Sequence, residues 1–136
     1  MKKSIFYVLS FTWGIVLTLI GLIVAGVLLC MGKKPKKWGW CYYFEIGDGW
    51  GGLELGIIFL TSKKPSTHTK CHEFGHAIQN CYFGPLMPFL VCIPSAIRYW
   101  YRRIRRSKGL KNKTAYDDIW FEGQATRLGY KYWEVE

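Results

Sequence analysis

The stretch Thr67-His68-Thr69-Lys70-Cys71-His72-Glu73-Phe74-Gly75-His76-Ala77-Ile78-Gln79-Asn80 decides how the rest of the chain is read. Lys63-Lys64-Pro65-Ser66 breaks the pattern that precedes it, and Thr67 or Ser66 suits the N-cap of a helix through the quoted residues. On such a helix His72 and His76 lie one turn apart on the same face, so both imidazoles reach one tetrahedral ion. Glu73 projects beside them, close enough to take a proton from a metal-bound water. The ion lowers the pKa of that water and polarises the carbonyl under attack, while Glu73 moves the proton. The competing reading is a surface helix with two incidental histidines. The five-residue pattern arises by chance in only about one in a few hundred chains this short.

A catalytic zinc site keeps three protein ligands and one open position, so something downstream has to supply the third. No histidine follows His76, and positions 79 and 82 are Gln and Tyr, which excludes HExxHxxGxxH chemistry. The acidic candidates are Asp117, Asp118, Glu122, Glu134 and Glu136. Glu122 is central in 116–130, a stretch able to form a second helix, whereas the last two glutamates sit where a terminus frays. From spacing alone Glu122 reads equally well as an exposed helix glutamate. His68, four residues before His72, extends the histidine stripe as a further ligand, a proton donor to an oxyanion, or a partly buried structural residue. Tyr116, Tyr130 and Arg127 are candidates for oxyanion stabilisation.

His72-Glu73-x-Gly75-His76 with Glu122-Gly123-Gln124-Ala125-Thr126 downstream resembles the gluzincin class of zinc metallopeptidases. In that class HExxH lies on one helix and a glutamate on a second helix is the third ligand. The run His72 to Gln79, then Gly84-Pro85-Leu86, Pro94-Ser95 and Glu122 to Gly129, is also similar to small bacterial membrane proteins with HExGHxxQ and a downstream Glu ligand. The similarity covers about residues 50–130. It implies a Zn2+ ion, one per chain, on His72, His76 and Glu122, with Glu73 as general base. Four residues after the ligand Glu the class has an Asp that orients a metal-bound histidine; here the position is Thr126. A hydroxyl can accept an imidazole N–H bond but is uncharged, and Asp117 or Asp118 can take over the role.

Outward from the motif, the chain of 136 residues has room for one domain and a membrane anchor. Half of it is apolar, 18% is aromatic, and the mean hydropathy is +0.03. That average conceals Ile5 to Met31, 27 residues without a charge. About 20 such residues cross a bilayer as a helix. A cleaved signal peptide has an apolar region about half as long and an A-x-A-like site, neither of which is present. Residues 1–32 are therefore expected to form a transmembrane anchor, and 33–136 a membrane-associated metallohydrolase domain. Lys33, Lys34, Lys36 and Lys37 outnumber Lys2 and Lys3, which predicts a cytoplasmic domain by the positive-inside rule. The resemblance to bacterial proteins implies the inner membrane.

A second apolar run, 86–97, holds Pro88 and Pro94 and is too short to cross. It is expected to be re-entrant or interfacial, with Tyr99, Trp100 and Tyr101 at headgroup depth. Arg98, Arg102, Arg103, Arg105, Arg106 and Lys108 follow. With a net charge of +10, these predict anionic lipid headgroups as partners rather than nucleic acid. A solvated basic helix face is the bland alternative.

Between anchor and motif, Trp38 to Ile46 is β-prone, Gly47-Asp48-Gly49 is a turn, and Leu53-Glu54-Leu55 alternates before Ile57 to Leu60. A hairpin or small three-stranded sheet is expected. Five scattered cysteines without a CxxC pair read as reduced thiols, a Cys71–Cys81 bridge being the minor option.

The fold expected is thus mostly α with a small β-hairpin or sheet (α+β). The elements are a transmembrane helix, the HExxH helix, a re-entrant or interfacial segment, and a C-terminal helix carrying the third ligand. The function expected is hydrolysis of peptide bonds, with an extended peptide or protein substrate added to a strand at 53–60. The alternative is a non-catalytic membrane protein whose structural metal site supports binding of a partner or anionic lipid.

Overall fold

In the computed structural model, which describes residues 1–112 and 114–133, the HExxH segment is the central helix of an α+β fold. Glu134 and Glu136 lie outside the described residues. Helix α3 (Thr67–Phe83) begins where Ser66 Oγ accepts the Thr69 N–H at 3.1 Å, the side-chain cap that the sequence offers. Every residue from Cys71 to Cys81 is buried, because α3 carries a sheet on one side and helix α5 (Trp120–Tyr132) on the other.

Two pairs of small residues set the α3–α5 approach. A Cβ on Gly75 would sit 1.6 Å from the Ala125 carbonyl oxygen, and one on Gly129 would sit 1.7 Å from the Cys71 carbonyl oxygen. Cys71 and Gly75 are four apart, as are Ala125 and Gly129, so each helix offers one stripe of small residues. The approach depends on Gly75 and Gly129 with Ala125. Gly123 faces the Asp117 carbonyl instead.

The sheet has four strands, β1 (Lys36–Trp38), β2 (Cys41–Glu45), β3 (Gly52–Leu55) and β4 (Ile58–Thr61), in the order β1-β2-β4-β3. It corrects two expectations. Trp38 to Ile46 is not one strand, because Gly39, at φ +59, turns the chain so that Trp38 pairs with Cys41. Nor is 53–60 one strand: Gly56, at φ +74, makes it a hairpin whose second arm lies inside the sheet, parallel to β2. Only β3 forms an edge on that side. Its inward face carries Gly52 and Glu54, and Leu53 is half exposed.

The run Ile5–Met31 folds as two helices, α1 (Lys3–Ser10) and α2 (Ile15–Cys30), bent by 88°, where a single spanning helix was expected. The physical reason is packing at the bend. Asn80 Nδ2 donates to the Gly14 carbonyl at 3.1 Å, Trp13 Nε1 donates to the Tyr82 carbonyl at 3.2 Å, and Gly84 admits the Trp13 ring. α1 then inserts Phe6 between Trp40 and Phe74, and α2 lays Gly21 on Leu55 and Thr18 on Gly56. At 1.5 Å per residue α2 is about 24 Å long, short of the roughly 30 Å hydrocarbon core. Among the described residues no single helix is long and apolar enough to cross a membrane.

After α3 the chain passes through a 3-10 turn (Gly84–Leu86) and a π-helical turn (Pro88–Cys92) into helix α4 (Ile93–Ser107). Pro94 follows directly on the π-helical turn, within helical backbone that runs on from Pro88 into α4. Three arginines of the basic cluster are tied to the following loop. Arg98 donates to the Ala115 and Tyr116 carbonyls, Arg102 to Thr114, and Arg105 to Lys111, all within 3.3 Å. This clamp fixes the short 3-10 turn Tyr116–Asp118 ahead of α5. The cysteines are unbridged, Cys71 and Cys81 included.

Candidate metal centre

Three electron-pair donors converge where α3 and α5 cross. His72 Nε2 and His76 Nε2 are 3.1 Å apart, and Glu122 Oε1 lies 2.9 Å from the second and 3.6 Å from the first. Donors on a tetrahedral zinc with bonds of about 2.05 Å are separated by roughly 3.3 Å, and the three observed spacings bracket that value. His72, His76 and Glu122 are all buried, and among the described residues they are the group that could hold a metal ion.

The outer partners fix what those atoms present. His76 Nδ1 is 2.7 Å from Gln79 Oε1. The Gln79 amide is oriented by its NH2 group, which donates to the Phe121 carbonyl and to Gln124 Oε1. Its oxygen therefore accepts, His76 Nδ1 carries the proton, and Nε2 is a bare lone pair. At His72 the partner is Thr126 Oγ1, 2.8 Å from Nδ1. That hydroxyl donates to Asp117 Oδ2 at 2.6 Å, so toward His72 it can only accept. His72 Nε2 is bare in turn. Glu122 is pinned through Oε2, which accepts from Ser95 Oγ at 3.0 Å, while Oε1 has no hydrogen bond of acceptable geometry. Two imidazole lone pairs and a carboxylate oxygen thus face one buried point that needs a positive charge, and the residues fit a metal ion there.

The electrostatics agree. Burial works to raise Glu122, but the facing imidazoles and the Tyr116 hydroxyl outweigh it and hold the carboxyl well below its ordinary range. Burial works to depress His72, and there the bond to Glu122 and the charges of Glu73, Glu122 and Asp117 prevail and raise it. Glu73 is also pushed up, first by burial, with the His76 and His72 charges opposing. Its carboxylate lies against the edge strand: a Cβ on Gly52 would be 2.7 Å from Glu73 Oε1.

Glu73, His72 and His76 form one wall of a cavity of about 300 Å3, whose other walls come from β3, the π-helical turn, α4 and Tyr116. Tyr116 is one of the oxyanion candidates. Burial foremost, with Glu122 nearby, keeps its phenol protonated, and because Ser95 Oγ donates to Glu122 the Tyr116 hydroxyl donates to Ser95 Oγ at 3.2 Å. Tyr130 and Arg127 do not line this cavity; Tyr130 is exposed and stands 6.1 Å, ring to ring, from His68. His68 is no ligand either, since its Nε2 is 3.1 Å from Asp117 Oδ2 and its side chain is half exposed. Asp118 accepts the Ala115 N–H at 2.9 Å, away from the centre.

Gln79 and Ser95 were given no specific role from sequence, whereas Asp117 was one of two residues expected to support a histidine and reaches His72 through Thr126. Gln79 carried a signal, lying three residues after His76 on the same face, where a polar side chain meets the imidazole. Ser95 is brought in by the Arg98 clamp and leaves no local trace.

No protein-family model, curated protein or solved structure matches the chain.

Proposed function

We propose that this chain is a zinc metallopeptidase of the gluzincin kind, working at a membrane surface. The observation that carries the reading is the centre beside a cavity: two imidazoles of α3 and one carboxylate of α5 converge, and Glu73 with both histidines lines a space of about 300 Å3. A structural zinc site closes its fourth position with protein, whereas a catalytic one leaves it open. That contrast favours the enzyme over the non-catalytic binding protein. Two nitrogens with one carboxylate is a donor set that suits zinc.

In this reading the metal supplies Lewis acidity and a water of lowered pKa. Glu73 accepts the proton of the attacking water and passes it to the leaving amine, a task its raised pKa suits. An extended peptide adds to the free edge of β3 at Gly52 and Leu53, which brings a main-chain amide over Glu73. The Tyr116 hydroxyl, which donates to Ser95 Oγ in the resting site, would turn to the developing oxyanion. The membrane reading rests on exposed apolar side chains: Ile93, Ile97, Trp100 and Ile104 in one stripe of α4, and Leu19, Ile23 and Val27 on α2. Exposed Lys33–Lys37 and Arg106 supply positive charge for anionic headgroups, and the lysine bias favours the cytoplasmic side of a bacterial inner membrane.

The test is metal content and peptide hydrolysis of the purified protein. One zinc per chain is expected, lost in His72→Ala, His76→Ala and Glu122→Gln, and kept in Glu73→Ala with hydrolysis abolished. Full zinc in the His76 variant, or full activity without Glu73, would overturn the reading.

A further inference from the structure

Glu54 has no role in the chemistry above. It sits on β3, two residues from Gly52 and on the same face, so its Cα lies roughly 6.6 Å along the strand from the residue that touches Glu73. It is 6% exposed, contributes to the lining of the cavity, and neither carboxylate oxygen has a hydrogen-bond partner among the described residues. The Gly56 N–H lies near enough to exert some pull but outside hydrogen-bonding geometry. An unpartnered buried carboxyl is costly to a fold, and a leucine at this point would pack without that cost. The surrounding cavity wall adds three aromatic rings, Trp50, Tyr99 and Trp100, beside apolar Met87 and Val91. A buried carboxyl and aromatic rings lining one cavity are the chemistry that receives an organic cation.

We propose that Glu54 is the carboxyl base of a subsite for a primary amine of the substrate, to which it passes its proton and which it then holds as the ammonium. This rests on the peptidase reading for the substrate's identity as a peptide, but not for the existence of the pocket. A peptide added to the edge of β3 alternates its side chains with those of the strand, so the residue opposite Glu54 points into the cavity. The ammonium is supplied either by a lysine side chain there or by the amino terminus of a peptide that ends there. The apolar walls accommodate the methylene stem, the rings line the same cavity, and Glu54 takes its N–H donors.

The experiment has two arms, both on the zinc-loaded full chain. In the first, n-butylammonium and its uncharged counterpart n-butanol are titrated by calorimetry. The ammonium should bind at least about 10-fold more tightly, as a charge-assisted hydrogen bond in a closed site requires, and the difference should vanish in Glu54→Gln. Equal affinities in the wild type overturn the proposal without reference to any variant. In the second arm, kcat/KM is compared for peptides that differ only in lysine against norleucine at the position opposite Glu54, each with a free and an acetylated amino terminus. Lysine preference that survives acetylation assigns the side chain, and loss of cleavage on acetylation assigns the terminus. In either case Glu54→Gln should bring the preference to about unity. Preference that persists in Glu54→Gln overturns the proposal. Saturable, Glu54-dependent ammonium binding with no hydrolysis of any peptide would uphold the pocket and sink the peptidase reading.

Discussion

Thr126 is hydrogen-bonded on both sides, accepting from His72 Nδ1 and donating to Asp117 Oδ2, and this makes an uncharged residue conduct the influence of a charged one. The Asp117 carboxylate reaches the imidazole through a hydroxyl where a direct carboxylate contact would ordinarily stand. Thr126→Val should weaken zinc affinity by about 10- to 100-fold, with Thr126→Ser restoring most of it, measured by competition with a chelator of known affinity. Equal affinity in the valine variant would leave Thr126 as packing alone. A second prediction concerns Glu54, which burial, then the Glu73 charge, pushes well above the ordinary carboxyl range. A group that holds its proton more tightly when folded contributes stability that is complete below the unfolded pKa of about 4.3. That contribution is lost as pH rises toward the raised folded value. Denaturant midpoints of Glu54→Gln relative to wild type should therefore improve steadily from pH 4 upward, and a flat difference would contradict the burial of the acid. At this scale the sequence was informative wherever function follows the helical period. His72, Glu73 and His76 needed only spacing, and Glu122 needed the resemblance. Asp117 was one of two aspartates the sequence offered beside Thr126, and the choice between it and Asp118 depends on how a distant arginine folds the loop.

At the scale of elements, the ligands meet because two backbones come closer than side chains normally allow. Gly75 stands between the base and the second histidine with the Ala125 carbonyl where its Cβ would be. Gly75→Ala should separate α3 from α5, destabilising the protein by about 3 kcal/mol, read as a lower denaturant midpoint with an unchanged slope. Zinc affinity should fall with it, because Glu122 rides on the displaced helix. Retained stability and zinc binding in this variant would mean the helices repack easily. The N-terminal elements show where sequence reading ran out. Hydropathy reports that residues avoid water and does not distinguish a protein interior from lipid, so Ile5–Met31 looked like one span. The bend is imposed by Asn80, Tyr82 and Gly84, more than sixty residues away. Likewise the β-prone stretch was legible as strand, but which arm became the edge depended on the parallel insertion of β4 beside β2.

For the molecule as a whole, apolar side chains remain exposed on α2 and α4, and the proposed membrane contact would cover them. Purified protein should float with vesicles containing anionic lipid and less so with neutral ones, and added salt should reduce the difference within the range where surface charges are screened. Alanine at Ile93, Ile97 and Ile104 together should weaken flotation on both kinds of vesicle while leaving zinc content unchanged. Undiminished flotation would assign membrane contact to α1 and α2 alone.

Phe6 has no exposed surface and lies against Trp40 and Phe74, and its carbonyl accepts from the Cys81 thiol at 3.6 Å. An experimenter seeking a soluble version would be tempted to trim the greasy first helix away. Doing so removes a plug from the middle of the molecule. The vacated hole would cost about 3–5 kcal/mol by comparison with phenylalanine deletions elsewhere, and it would open beside Phe74, which follows Glu73 directly on α3. Solubility and an intact centre are thus not separable by shortening this chain from its beginning.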